Sequence, residues 1–184
     1  MAVGTFGSIP GSLGIIVTRK KPGHFVALTE DGRIDAVLAQ NVKLADALEK
    51  RAAIPVNNAQ QGPNDGASLA PANGVKSVDP YDVTIAMPAA DGEPVVSDAD
   101  HEAWGRFRMS YDVTIEAPPF KVSGTLLLLP SQDPMSLTER GTELFLAVFN
   151  PSVTANGVAV KDTPRDSVLI NRSHIKRVNA TMRR

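Results

Sequence analysis

The sequence predicts a mainly β protein with three parts: an N-terminal hairpin-and-helix module, a loose middle segment and a small curved β-barrel towards the C-terminus. Three observations predict it. Phe107, Met109, Tyr111, Val113 and Ile115 alternate with Arg108, Ser110, Asp112, Thr114 and Glu116, the period of two that gives a strand one dry and one wet face. The turn signals Pro118-Pro119 and Asn156-Gly157 separate further β-rich runs. A single stretch, after Asn41, carries helical spacing.

Taken in order, residues 1–14 are rich in Gly, Ser and Pro and read as an arm or loop. Ile15–Arg19 and Phe25–Thr29 flank Pro22-Gly23, the pair a type II turn favours, so a hairpin is expected. Asp31-Gly32 marks a second turn and Ile34–Leu38 a third strand. Asn41 is placed to cap a helix over about 42–53, with Leu44 and Leu48 on one face and Lys50-Arg51 in the last turn. Pro55 cannot continue it.

Residues 57–80 are dominated by Asn, Gln, Gly, Pro and Ala. So few bulky apolar groups do not offset the entropy of ordering the chain, which reads as a flexible linker. The expected division is therefore 1–56, the linker 57–80, and a β-barrel domain with a basic tail over 81–184. Beyond the alternating strand, Lys121–Leu129 is the next, with Gly124 where a strand of a small barrel bends. Ser136-Leu-Thr-Glu139 has capping-box spacing, stopped by Gly141. Glu143–Phe149, the Asn156-Gly157 hairpin and Asp166–Val178 complete the series. Tyr81-Asp-Val-Thr-Ile and Tyr111-Asp-Val-Thr-Ile echo each other, a single short echo that reads as similar strand pressure rather than a repeat.

Composition narrows the function classes. The chain has 184 residues, a net charge of −1 and no cysteine. A disulfide framework, a thiolate metal site and a cysteine nucleophile are excluded, and no global charge draws the chain to nucleic acid or an anionic membrane. The N-terminus shows no basic region leading into an apolar one, and no apolar run approaches a membrane span. The expected compartment is the cytoplasm, with no membrane partner.

The candidate binding residues lie near the C-terminus. Arg172, Lys176, Arg177, Arg183 and Arg184 crowd a short stretch with His174 among them. Cationic donors of this kind contact phosphates, but the interleaved aromatics that stack bases are missing. The alternative is a solvated strand end. Asp98-Ala-Asp-His-Glu102 offers oxygen and nitrogen ligands, yet after Ser97 it reads better as an acid-rich helix start anchored by Trp104. The glycines near the N-terminus precede a β-rich run with no Gly-Lys-Ser/Thr, so they form no phosphate cradle. His24, His101 and His174 fall on separate elements, and no Gly-x-Ser-x-Gly elbow occurs. Hence no catalytic residue, metal or cofactor is assigned. Leu126–Leu129 and Leu144–Phe149 are apolar on both faces and need two covers. The second cover is either the N-terminal helix or another subunit.

Two motifs carry a family resemblance. Lys121-Val-Ser-Gly-Thr-Leu-Leu resembles the Sm strand in which a Gly permits bending, and Ser167-Val-Leu-Ile-Asn-Arg-Ser-His-Ile-Lys-Arg-Val resembles the second Sm motif. The latter is also similar to uncharacterised bacterial domains ending in Val-Asn-Arg-x-His-Ile. The resemblance implies a small SH3-like/Sm-like barrel that assembles through strand edges. It also implies RNA or nucleotide binding in which Arg172 and Lys176 hold phosphate or base, although Ser173 stands where the family has Gly. The leading expectation is a non-catalytic binding or assembly module that contacts a protein partner or itself. An Sm-like nucleic-acid binder and an enzyme with a site assembled near His174 are the alternatives.

Overall fold

The computed structural model describes residues 23–138 and 143–183. The glycine-rich arm, the strand expected at Ile15–Arg19, Pro22, Glu139, Gly141 and Arg184 lie outside them. The strands are β1 (His24–Thr29), β2 (Arg33–Leu38), β3 (Ile54–Gly62), β4 (Ala70–Pro71), β5 (Ser77–Val78), β6 (Val83–Pro88), β7 (Met109–Ala117), β8 (Phe120–Leu128), β9 (Phe145–Ala155), β10 (Val158–Ala159), β11 (Ser167–Asn171) and β12 (Arg177–Met182). Two helices, α1 (Leu44–Glu49) and α2 (Asp98–Phe107), and two 3-10 turns, Pro134–Thr138 and Arg172–His174, complete the described chain.

The strands form one antiparallel sheet that is not closed, in the order β12-β7-β8-β9-β11-β6-β1-β2-β3-β4. The order contains one pattern twice. In each half the last strand lies beside the first, followed by the second, third and fourth along the path: β6-β1-β2-β3-β4, then β12-β7-β8-β9-β11. The halves join where β6 pairs with β11, Ile85 opposite Ile170.

Local chemistry sets the turns. Thr29 N–H donates to Gly32 O at 2.9 Å and closes the β1–β2 turn, at the expected Asp31-Gly32. Asn156 and Gly157, at φ 49° and 82°, make the tight β9–β10 turn, which needs two left-handed residues. At Gly124 the β8–β9 register shifts between Ser123 and Thr125. A Cβ on Gly124 would lie 2.6 Å from Phe149 O and 2.7 Å from a Val148 methyl, so the missing side chain is what lets β8 bend across β9.

Two apolar layers lie on opposite faces of the central strands. Val26, Leu28, Ile85, Met87, Val148 and Ile170 point into one; Phe25, Ala27, Ala86, Phe145 and Leu169 point into the other. Alternation sends successive side chains to opposite faces, so these strands are apolar throughout. Leu44, Ala47 and Leu48 of α1 pack in the same layer as Phe145 and Leu169. The second cover of the 144–149 strand is therefore α1.

Several expectations need correction. Residues 57–80 include the end of β3 and all of β4 and β5, which pair back on β3. Only Ile54, Val56 and Ala59 of β3 are buried. The segment is held by backbone hydrogen bonds to β2, which composition does not register. Likewise β6, assigned by sequence to the C-terminal domain, pairs with β1 as well as β11. Helix α1 is shorter than expected, and its cap residue is Lys43 with no side-chain cap bond rather than Asn41. Arg51 at φ 55° ends any continuation before β3 begins. Phe107 closes α2 instead of opening β7, and is 74% exposed.

Arg33 ties the two halves together. It is 4% exposed; its Nε and Nη2 donate to the two carboxylate oxygens of Asp35 at 2.6 and 2.9 Å, and Nη1 donates to Lys161 O at 3.3 Å. Asp162 stands 3.5 Å from Nη2. Two-point pairing of this kind is the strong form of the Arg–carboxylate contact.

Candidate functional site

The Asn171–His174 segment contains two of the sequence-derived binding candidates, and it is a clasp. Asn171, fully buried, donates from Nδ2 to Pro80 O at 3.0 Å and Val83 O at 2.9 Å. Its Oδ1 accepts from Ser173 N–H at 3.0 Å and from Ser173 Oγ at 2.7 Å. His174 Nε2 lies 2.7 Å from Tyr81 O and Nδ1 lies 3.1 Å from Thr84 Oγ1. A carbonyl only accepts, so Nε2 carries a proton. The Leu-Ile-Asn-Arg-Ser-His motif thus locks the β11–β12 corner onto residues 80–84 that lead into β6. Both ring nitrogens of His174 serve internal partners, Thr84 is wholly buried, and His174 lines none of the cavities described below.

The other binding candidates do not converge with His174. Arg172 lines a groove on the α1 side, and its backbone N–H donates to Leu144 O at 2.9 Å. Lys176 and Arg177 are exposed at the start of β12, where Arg177 stands opposite Glu116 of β7. Farther along, Arg183 pairs with Asp112 at 3.0 Å. The basic stretch is thus distributed along one strand edge and partly neutralised by acids of β7.

That groove, of about 490 Å³, lies between α1, α2 and the β8–β9 face. Leu126, Leu146 and Phe149 line it along with Glu49, Arg108 and Arg172. Glu49 accepts from the consecutive backbone N–H groups of Leu144 and Phe145 at 2.9–3.2 Å, latching α1 to the start of β9. Helix α2 begins at Ser97, whose Oγ accepts from Asp100 N–H at 3.1 Å, as the acidic helix-start reading expects. No residue of α2 is buried. It is held by His101 stacked on Phe149 at 4.2 Å, by Trp104 edge-on to Phe149 at 6.1 Å, and by the Arg108 guanidinium 4.2 Å over Trp104.

The Asp98–Glu102 cluster is engaged in packing of its own: Asp100 bonds Ser97, His101 stacks, and Glu102 pairs with Arg106. Among the described residues no group of three or more His, Asp or Glu is placed to hold a metal ion. The three histidines stay on separate elements, His24 pairing with Asp91. No helix among the described residues is long and apolar enough to cross a membrane.

The feature that the sequence reading missed is an apolar corner. Phe107, Leu129, Met135 and Met182 are 74%, 44%, 60% and 49% exposed. Register gathers three of them: Met109 opposes Leu128 and Met182 opposes Tyr111, so Phe107, Leu129 and Met182 share one end of the β12-β7-β8 ribbon. Met135 belongs to the 3-10 turn that follows β8 and packs beside β12. A signal for Phe107 was available: a helix started by Ser97 and about ten residues long consumes it.

Neither a scan of protein-family models nor searches of curated proteins and of solved structures finds a match to this chain.

Proposed function

We propose that this chain is a non-catalytic binding and assembly module whose C-terminal half, residues 109–182, is a small SH3-like/Sm-like unit presented to a protein partner. The apolar corner is the observation that carries the reading. Large apolar side chains scattered singly on a surface need no explanation, but a cluster beside a sheet edge is the mark of a contact surface. The SH3-like/Sm-like part of the reading draws support from the strand order, in which β12 returns to pair with β7, and from the 3-10 turn between β11 and β12. The sheet remains open because the far edge of β11 is taken by β6.

The test places a photo-crosslinking amino acid at Phe107 and, as a control, at the exposed Lys121. In cells expressing the chain, the Phe107 probe is expected to give discrete adducts with a defined polypeptide, either another protein or a second copy. Adducts no more frequent or discrete than those from position 121 would refute the reading.

A further inference from the structure

We infer that Met135 and Met182 are modification sites, and that oxidation of their thioethers to sulfoxides by a peroxide withdraws the apolar corner from its partner. The inference deepens the module reading and rests on it. Methionine supplies all the sulfur of this chain, which has five methionines and no cysteine. A peroxide that reaches the protein therefore meets no thiol, and the thioethers are the sulfurs left to take its oxygen.

The fold grades these sulfurs by access. Met87, on β6, is fully buried. Met109 is half-buried at the start of β7, and its sulfur accepts from the Tyr111 hydroxyl at 3.9 Å. Met135 and Met182 are both exposed. The accessible methionines among the described residues thus gather at the corner. Met182 stands directly opposite Tyr111, Met109 lies two residues along β7 on the same face, and Leu126 continues the row beyond Tyr111. Met182 is the outer end of an apolar row whose inner member, Leu126, belongs to the core. Met135 flanks the same strand from the 3-10 turn.

The step needs no ionised group. A sulfur lone pair attacks one oxygen of hydrogen peroxide, the O–O bond breaks as the S–O bond forms, and the departing hydroxide takes the remaining proton to become water. Sulfur gives up two electrons and the peroxide accepts them. An apolar thioether becomes a polar sulfoxide. A partner seated on Phe107 and Leu129 then has to bury that oxygen with no donor supplied for it, which opposes binding. Sulfoxide reductases return the thioether, so the change is reversible. The flexible, polarisable thioether that suits an adaptable contact is the same group that lets the contact be switched.

Two measurements test the inference. Limiting hydrogen peroxide applied to the full chain, followed by peptide mass spectrometry, is expected to mark Met135 and Met182 first, Met109 later and Met87 last. Oxidation of Met87 as fast as Met182 would overturn it. In cells carrying the Phe107 probe, peroxide given before illumination is expected to lower the adduct yield about tenfold. Met135→Leu combined with Met182→Leu should hold its yield under the same treatment, because leucine keeps the apolar volume and takes no oxygen. A loss of adducts in that double variant would overturn the inference by placing the effect outside these two residues. So would an unchanged yield from chains shown to carry both sulfoxides, and the module reading would then stand without its switch. Met182→Leu alone decides the matter if the double variant does not fold by circular dichroism, and it should retain more adduct after peroxide than the parent. A Phe107 probe no better than position 121 even before peroxide would instead refute the module reading, and this inference with it.

Discussion

Replacing Asn171 with Ala should be among the most damaging single changes in this chain, because one buried amide serves four hydrogen bonds. Its Nδ2 satisfies the carbonyls of Pro80 and Val83, and its Oδ1 satisfies Ser173 N–H and Oγ. Alanine removes all four and offers nothing in return. A hydrogen bond contributes about 1 kcal/mol net, and a buried group left without a partner costs about 1–3 kcal/mol. Ser173 is exposed, so water replaces much of its share. The two carbonyls, facing a site with no solvent access, carry most of the loss. The expected destabilisation is about 3–5 kcal/mol, at the upper end for point substitutions. Urea denaturation followed by circular dichroism measures it, with an unchanged slope showing that the unfolded state is not the cause. Asn171→Asp provides a control of opposite chemistry: it keeps Oδ1 but aims an acceptor at two carbonyl oxygens, and should be at least as damaging. A loss below about 1 kcal/mol for the alanine variant would refute the view of this segment as a clasp.

Further outcomes follow from other contacts. Arg33→Met should cost about 3–5 kcal/mol by stranding Asp35, whereas Arg33→Met with Asp35→Leu should recover most of that loss; a double-mutant cycle with no coupling would show that Asp35 does not fix the Arg33 guanidinium that reaches Lys161 O in the other half. The pKa of Arg33 is raised, first by its hydrogen bond to Asp35 and against the opposing effect of burial. That stabilisation is complete below the unfolded value and fades only as pH rises through the higher folded one; since ordinary Arg already titrates above ~12, Arg33 should contribute no slope to a stability profile between about pH 5 and 9. Gly124→Ala should cost about 1–3 kcal/mol or more, since its Cβ meets Phe149 O and a Val148 methyl closer than any real contact; thermal melting checks it, and a neutral result would mean that β8 has room to shift. Glu49→Ala should cost about 1 kcal/mol, reduced by its exposure, and should speed hydrogen exchange at Leu144 and Phe145 more than at Val148, which relies on β11 instead.

Much of the β architecture could be read from residue order. Val113 and Ile115 alternate with polar neighbours, and both are buried in β7. Asn156-Gly157 turns where its left-handed preference requires. Ser97 begins α2 with acids in its first turn. The two-faced apolar run at 144–149 announced a need for two covers, and both exist. What escaped was whatever depends on the backbone or on distant partners. The polar strand β3 survives on ladder bonds to β2. Phe107 fits the alternation of β7 and the length of α2 equally well, and the helix takes it. The binding residues were chosen for their charge, but His174 and its neighbour Asn171 spend their polar atoms on Pro80, Tyr81, Val83 and Thr84, about ninety positions away.

By itself, then, the sequence determined the kinds of local structure and the demand for burial, because side-chain period, turn preferences and the lack of thiols are properties of neighbouring residues. Only the tertiary structure decided that β6 joins the two halves, that α1 supplies the second cover, and that the Asn171–His174 corner is a clasp. Those outcomes depend on which backbone edges and which apolar faces meet across long stretches of chain, and no local pattern encodes that choice.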